Sequence, residues 1–567
     1  MITESECQEQ STEQRKSIHF DWEDFSHAID RIPTGAAPGP DSVPAIILKI
    51  VRKPMSRILC KMMKKTLSTG RIPIILKQSL IIPIHKGGSL NEAANFRPIS
   101  LTSHLLKTME RVMRLNLINF LEYTKKLDPR QHGSRAVRST LLQLLHHHDD
   151  ILKALESGVN LDCIYLDFAK AYDKVDHGIL LNKLKLLGIT GSLGRWIMNF
   201  LQDREQKVLI KGRKSESFTL ISGVPQGSVI GPLLFLIFIG DIRDGVTASI
   251  LVYVDDSKVK SKIKTSTDVE HLQEDLDRIY LWERTNNMRF NGGKFLILRY
   301  GKDQDMKEST IYFTGEMLDV ISQVNQCRDL GITMQDDASF QLQQQKVATK
   351  VRQKCGWILR TFYSRNQTFL RHMWNTLVQP HLDYCGQLWA PSDGGELEKQ
   401  EGLMRSFTSK IPSIKHMNYW ERLLALRLNS QQRRIERYRI IYTWKILEDL
   451  VPNCGISESA ANERLGRLCV VPKLVGSTQV RNLRSNSFQV TGPNLFNAIP
   501  KKIINLRGIG VDEFKEHLDT YLKEIPDQPK VAGMTPTAMT TTAVPSNSLL
   551  QWIPLVTREA AWRRHGA

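Results

Sequence analysis

Apolar residues in this chain gather into short runs that stop abruptly on acids. Ile250-Leu251-Val252-Tyr253-Val254 is unbroken, ends on Asp255-Asp256, and is followed at once by Ser257-Lys258-Val259. Such a run bounded by a polar pair reads as a buried strand, and the residues after it as the returning strand of a hairpin. Leu161 to Phe168 has the same form, mostly apolar and reaching Asp167. Leu80 to Gly88 reads as a strand running into a Gly turn, and Val229 to Ile239, the longest apolar run, as a buried helix too short to span a bilayer. Helical spacing places Val269, Leu272, Leu276, Ile279 and Tyr280 on one face, behind a capping box from Thr267 to Glu270. Phe20 to Ile32, stopped by Pro33, and Ile46 to Ser68, ended by Thr69-Gly70, also read as helices. Past Gly331 the pattern turns helical and basic, with helices expected over Phe340 to Phe362, Gln367 to Trp374 and Gln432 to Trp444.

Composition adds bounds. A length of 567 residues with a hydrophobic fraction of 41% implies several subdomains. A formal charge of +19 fits a polyanionic partner. Eight Cys without a C-x-x-C pair argue against a zinc knuckle or a disulfide framework, and for a reducing compartment. Met1 to Arg15 is polar and is no signal peptide, so the expected location is nucleus or cytoplasm, without a membrane partner. His146-His147-His148-Asp149-Asp150 cannot all converge on one ion from a helix, and reads as a solvated helix end. Pro526 to Asn547 is rich in Pro, Thr, Ala and Ser and reads as a flexible tail.

Two strands that each deliver an Asp to one sheet edge can clamp a pair of cations. Ionised side chains are seldom buried unless paired, and Mg²⁺ favours one or two carboxylates plus substrate phosphates. A surface turn that happens to hold two Asp would look the same from the tetrapeptide alone. The order of motifs carries more. Asp167-Phe168-Ala169-Lys170-Ala171-Tyr172-Asp173, then Ser222-Gly223-Val224-Pro225-Gln226-Gly227-Ser228, then Tyr253-Val254-Asp255-Asp256 resemble the successive palm motifs of reverse transcriptases, in the style of the Jockey-like and chicken-repeat-like non-LTR retrotransposons. The resemblance runs from about Ala37 to about Pro526. It includes Ala37-Pro38-Gly39-Pro40-Asp41 and the fingers hairpin around Leu80 to Leu101.

This resemblance implies an α+β fold, the right-hand polymerase fold with fingers, an antiparallel-sheet palm and a helical thumb. The expected divisions are an N-terminal extension over 1–36, fingers and palm over 37–335, a basic helical thumb and C-terminal region over 336–525, and the tail over 526–567. It implies an RNA-directed DNA polymerase acting on an RNA template, a DNA primer or target and dNTPs, with two Mg²⁺ ions or Mn²⁺ in their place. Asp167, Asp255 and Asp256 would be the metal ligands, and Lys294 the acid that protonates pyrophosphate. Lys86 and Arg97 would clamp the triphosphate, and Tyr172 would lie under the sugar and exclude a 2′-hydroxyl. Gln226 and Gly227 would support template and nucleotide, and Leu330-Gly331 would form the primer-grip turn. Arg433, Arg434, Arg437 and Arg439 are expected to track phosphates, although a solvated helix face would look similar. Asp162, Asp173 and Asp176 read as structural or surface acids.

The chain departs from the family pattern at Ser42, where Gly is usual, at Leu76-Lys77, where Trp-Lys is usual, and at Ser134, where an aromatic follows Gln-His-Gly. Other palm-type nucleotidyl transferases share paired acids, but the fingers block and Gln226-Gly227 argue against them. A domesticated copy that only binds RNA is opposed by the intact Asp167, Asp255 and Asp256. The family usually carries an endonuclease ahead of the polymerase, and this chain, which begins just before the fingers, is expected to lack it.

Overall fold

The computed structural model describes residues 18–303, 305, 307, 310–315, 319–391, 394–459, 467–525, 527 and 548–550. Among the described residues, two five-stranded sheets, two short two-stranded ribbons and many helices alternate along the chain. The first sheet is built on strands β1 (Ser79–His85) and β2 (Phe96–Thr102), an antiparallel hairpin. After β3 (Asn160–Leu166), strand β4 (Arg204–Ile210) returns to pair parallel with β1, and β5 (Arg213–Lys214) and β6 (Phe218–Leu220) extend it.

The second sheet is central. Strands β7 (Ser249–Tyr253) and β8 (Asp256–Ile263) form a tight hairpin, and β8 lies antiparallel to β3. On the far side of β3 comes β9 (Leu296–Tyr300). The short strands β10 (Phe313–Thr314) and β11 (Asp319–Val320) form a separate ribbon, and β12 (Ser322–Gln323) closes the edge of the central sheet beside β9. Strands β13 (Gln326–Asp329) and β14 (Ile332–Gln335) form a last hairpin.

Alternation along β3 gives the central sheet two buried faces. Ile164 and Leu166 join one core, with Val259 and Ile263 of β8 and the helix Gly231–Ile239. Leu161 and Cys163 join another, with Leu298 and Tyr300 of β9 and the C-terminal helices. Side chains two apart on a strand share a face, so the odd residues of β3 look one way and the even ones the other. Truncating a wholly buried position such as Ile164 to Ala would cost about 2–5 kcal/mol.

The apolar run before Gly240 is the buried helix that the pattern predicts, Gly231–Ile239. Trp22–Asp30, Gln341–Thr361, Gln367–Met373 and Gln431–Leu447 also match predicted helices, with ends shifted by a few residues. The stretch predicted as one helix from Ile46 breaks at Val51 into Ala45–Ile50 and Arg52–Thr69, and Gly70 closes the second at φ +68°. The helix Ser266–Thr285 buries Leu272, Leu276 and Ile279 as expected, but its capping box is Thr265 with Asp268, two residues earlier than predicted.

His146 to Asp150 is no solvated end. It lies inside the helix Thr140–Glu156, where His147, His148 and Asp149 are buried. That helix is sandwiched between the central sheet and Thr478–Asn486, from which Arg484 reaches Asp149 at 2.6 Å and Glu156 at 2.7 Å. Most of the expected tail, and residues 1–17, lie outside the described residues. Ser548 and Leu549 are described and buried, each bonded to Glu436. No helix among the described residues is long and apolar enough to cross a membrane.

Candidate active site

Asp255 stands in the two-residue turn between β7 and β8, and Asp256 opens β8 opposite Tyr253. The first turn residue, Val254, has φ +63°, and Asp255 does not share the positive φ. That is the pattern of a type II′ turn, whose first position normally takes Gly. A β-branched residue there is strained and must be held from outside. The holding segment is Gln131 to Gly133. His132 N donates to Val252 O at 3.0 Å, and Gln131 Oε1 accepts from Gly133 N at 2.9 Å and from Val254 N at 3.4 Å. A Cβ on Gly133 would meet Val254 Cγ2 at 2.5 Å and Val254 N at 2.6 Å. The Gln-His-Gly block therefore braces the acidic turn, a role that motif matching alone did not suggest.

Asp167 follows Leu166, the last residue of β3, which pairs with Ser257 of β8. Its carbonyl accepts from Asn291 N at 2.8 Å, and Ala169 N donates to Arg289 O at 2.8 Å. This short pairing carries Lys294 to the site, and Lys294 Nζ lies 3.1 Å from Asp167 Oδ2.

The acids repel one another. Asp255 and Asp256 touch solvent at the tip, yet the surrounding protein desolvates both carboxyls and raises their pKa. Asp255 is raised further by Asp167, and Asp256, pushed up to about 6, by Asp255, Asp329 and Asp167. Arg97 pulls Asp255 the other way, so this arginine of β2 faces the acids from the first sheet. Lys86 is exposed beyond the end of β1, its N–H bonded to Asn95 O at 2.9 Å, and makes no contact with the acids.

Among the described residues no group of three or more His, Cys, Asp or Glu is gathered closely enough to hold an ion by itself. The donor set still fits a divalent cation. The Asp255 and Asp256 carboxyls, raised by burial and by neighbouring acids, stand beside Asp167, onto which the Lys294 ammonium is drawn, in an open, acid-rich site. Substrate phosphates would complete such a shell.

Tyr172 lies beside this cluster. Burial raises its phenol pKa, and Asp255 raises it further. Its ring stacks on Phe235 at 4.8 Å and 16°. Gln226 Nε2 donates to Asp173 Oδ1 at 3.1 Å, and Gln226 O accepts from Ser100 N of β2 at 2.7 Å. Gly227, at φ +129°, comes so close to β2 that a Cβ would lie 2.4 Å from Ser100 O. This turn therefore ties the first sheet to the Asp173 loop. Asp162 is buried against Tyr312 and Arg299, and Asp176 caps the helix His177–Leu186, so these two and Asp173, the acids expected to be structural or surface ones, have structural partners.

Leu330 and Gly331 form a turn between β13 and β14 at φ +45° and +88°. The arginines expected to track phosphates do not face solvent together. Arg433 and Arg439 are 2% and 6% exposed, packed against Leu522 O and Gln387 O. Arg434 is held by Asp383 at 2.5 Å, and Arg437 by Asp519. These four are the internal struts of a helical layer, because that helix packs on every side rather than lining a groove.

A different basic face was missed. On the helix Gln341–Thr361, Lys346, Lys350 and Lys354 recur every four residues, with Arg360 beyond them. Trp357 is 43% exposed, with Lys354 Nζ 5.6 Å from its ring centroid. The four-residue spacing was the signal that could have revealed it.

Residues 84–334 match the family model described as reverse transcriptase (RNA-dependent DNA polymerase). Over 282 residues the chain is 31% identical to the RNA-directed DNA polymerase from mobile element jockey of Drosophila melanogaster, covering 48% of this chain and 31% of that protein. It is 28% identical over 409 residues to the jockey enzyme of Drosophila funebris, covering 69% of this chain and 43% of that one. It is 27% identical over 381 residues to the probable RNA-directed DNA polymerase from transposon BS of Drosophila melanogaster, covering 65% and 42%. The chain thus spans less than half the length of each of these relatives.

Proposed function

We infer, from a chain that carries a reverse transcriptase domain over residues 84–334, that its function is RNA-directed DNA synthesis: extension of a DNA 3′-end on an RNA template, as in a non-LTR retrotransposon. The observation that carries this reading is the meeting of Asp167 with Asp255 and Asp256 at one end of the central sheet, with Arg97 facing them. In this reading the central sheet is the palm, the β1–β2 hairpin belongs to the fingers, and the helices after residue 336 form the thumb. Two Mg²⁺ ions held there would lower the pKa of the 3′-hydroxyl and offset the charge of the leaving pyrophosphate.

The protein's own groups do the rest. Asp167, Asp255 and Asp256 hold negative charge at one point and so fix where cations and triphosphate gather. Lys294, now on Asp167, is placed to give a proton to pyrophosphate once that acid has another partner. Arg97 offsets triphosphate charge, and Lys86, on the hairpin end, reaches it only if the fingers close. The Tyr172 ring, pinned by Phe235, blocks the volume that a 2′-hydroxyl would need. Gln226-Gly227 keeps the template side of the fingers at a fixed distance from the palm. Lys350, Lys354 and Trp357 offer the duplex cations and an aromatic face.

The test is primer extension on poly-rA with oligo-dT, dTTP and Mg²⁺ or Mn²⁺. Asp255→Ala should lower extension by about a thousandfold, the scale of several kcal/mol of lost charge stabilisation. Primer–template affinity should stay near the parent's. Full extension by that variant would remove the assignment.

A further inference from the structure

The turn at Leu330-Gly331 is bound to the acidic hairpin by a buried charge pair. Along β8, Asp256, Lys258 and Lys260 share one face, while Val259 and Ile263 enter the core on the other. Lys258 is 3% exposed, and its Nζ contacts Oδ2 of Asp329, itself 6% exposed. Lys260, next on that face, is occupied by Asp150. His147 comes to 4.0 Å of Asp329 Oδ2, but it is wholly buried, which keeps its imidazole neutral and leaves Lys258 as the counter-charge.

A buried pair of this kind is a poor source of stability, since apolar replacements of both partners are often as stable or more so. Its best-attested use is to fix register. Here there is a register to fix. Asp329 ends β13, and the next residue, Leu330, takes φ +45°, where a leucine needs outside support. That support comes from two sides. Tyr384 Oη donates to Leu330 O at 2.7 Å from the C-terminal helical layer, and Lys258 holds Asp329 from the strand that begins with Asp256.

We propose that Lys258 and Asp329 are positioning residues that lock the Leu330-Gly331 turn at one place relative to Asp255 and Asp256, so that a DNA 3′-end resting on the turn meets the acids in line. The proposal rests on the polymerase reading of the site. The pair itself is buried, so its influence on the acids runs through the turn.

The decisive variant is Lys258→Met with Asp329→Leu in the full chain, which removes both charges and leaves neither orphaned. It should melt at or above the parent's temperature and bind primer–template as the parent does. Extension of oligo-dT on poly-rA, counted per active molecule from the burst amplitude, should fall about 10–100-fold in kcat, the scale of a misplacement near 1 Å. Parent-like kcat per active molecule would assign the pair to packing and overturn the proposal. Hydrogen exchange at the amides of 330–333 provides a readout that needs no activity. A parent that extends no primer sinks the polymerase reading, and exchange then decides alone: faster exchange in the variant supports the lock, and unchanged exchange overturns it.

Discussion

Tyr172 shows how one side chain can be read from its offset and then understood only from its neighbours. The family resemblance placed Tyr172, five residues after Asp167, under the sugar and beside the candidate metal acids, and Asp255 does act on its phenol. What the offset could not give is the stack on Phe235, which fixes the plane of the ring and makes it a wall rather than a swinging arm. Tyr172→Val should therefore raise ribonucleotide use relative to dNTP by about a hundredfold, the loss of a clash of about 3 kcal/mol. Single-nucleotide incorporation with rUTP and dTTP measures it, and an unchanged ratio would return Tyr172 to plain core packing. Apolar runs ending on acids marked the strand ends that carry Asp167, Asp255 and Asp256, but only the order of family motifs singled these three out as candidate metal ligands. Val254 was not legible, because a residue type does not reveal a positive φ. Its brace at Gln131 to Gly133 lies more than a hundred residues away.

At the level of elements, periodicity found strands and helices better than it found what their polar faces meet. The helix Gln431–Leu447 is where predicted, yet its arginines turn inward to Asp383 and Asp519, 51 and 82 residues distant in sequence. A count of charges cannot see such partners. The capping box slipped by two residues because Asp268 does at the third helical position what Glu was expected to do later. Two outcomes separate the inward from the outward basic face. Arg434→Gln with Arg437→Gln should leave the salt slope of primer–template binding unchanged and cost about 1–3 kcal/mol of stability, the scale of hydrogen bonds to charged groups. Lys350→Gln with Lys354→Gln should do the reverse, leaving the melt unchanged and flattening log K against log salt by about 0.7–0.9 per lost contact. Swapped results would restore the arginines as the phosphate face.

Over the whole molecule the net charge of +19 fits a polyanionic partner, while acids buried in the C-terminal half tie stability to pH. Glu401 is buried there, accepting from Gln431 N at 2.9 Å and from the Tyr419 hydroxyl, and burial pushes its carboxyl up to about 7. The folded state then holds a proton that the unfolded state releases near 4.5. Stability should decline as pH rises from about 4.5 to about 7 and level off above. Glu401→Gln should flatten that decline, which urea melts at about pH 5 and about pH 8 would report. An equal decline in the variant would place the pH dependence in another group.

The two-faced central sheet has a consequence for where this molecule can be cut. Residues 84–334 contain every candidate metal acid, and a gene trimmed to that span would keep the recognisable chemistry. It would lose the helices that cover Leu161, Cys163, Leu298 and Tyr300. It would also lose Arg484, which clasps Asp149 and Glu156 from the other end of the chain. The exposed sheet face would be a sticky apolar patch and an invitation to self-association. Such a fragment should aggregate or bind a hydrophobic dye, whereas the full chain, which keeps the C-terminal helices and the Ser548–Leu549 contact with Glu436, should not. For this protein, the shortest sequence that can be recognised is shorter than the shortest one that can stand alone in water.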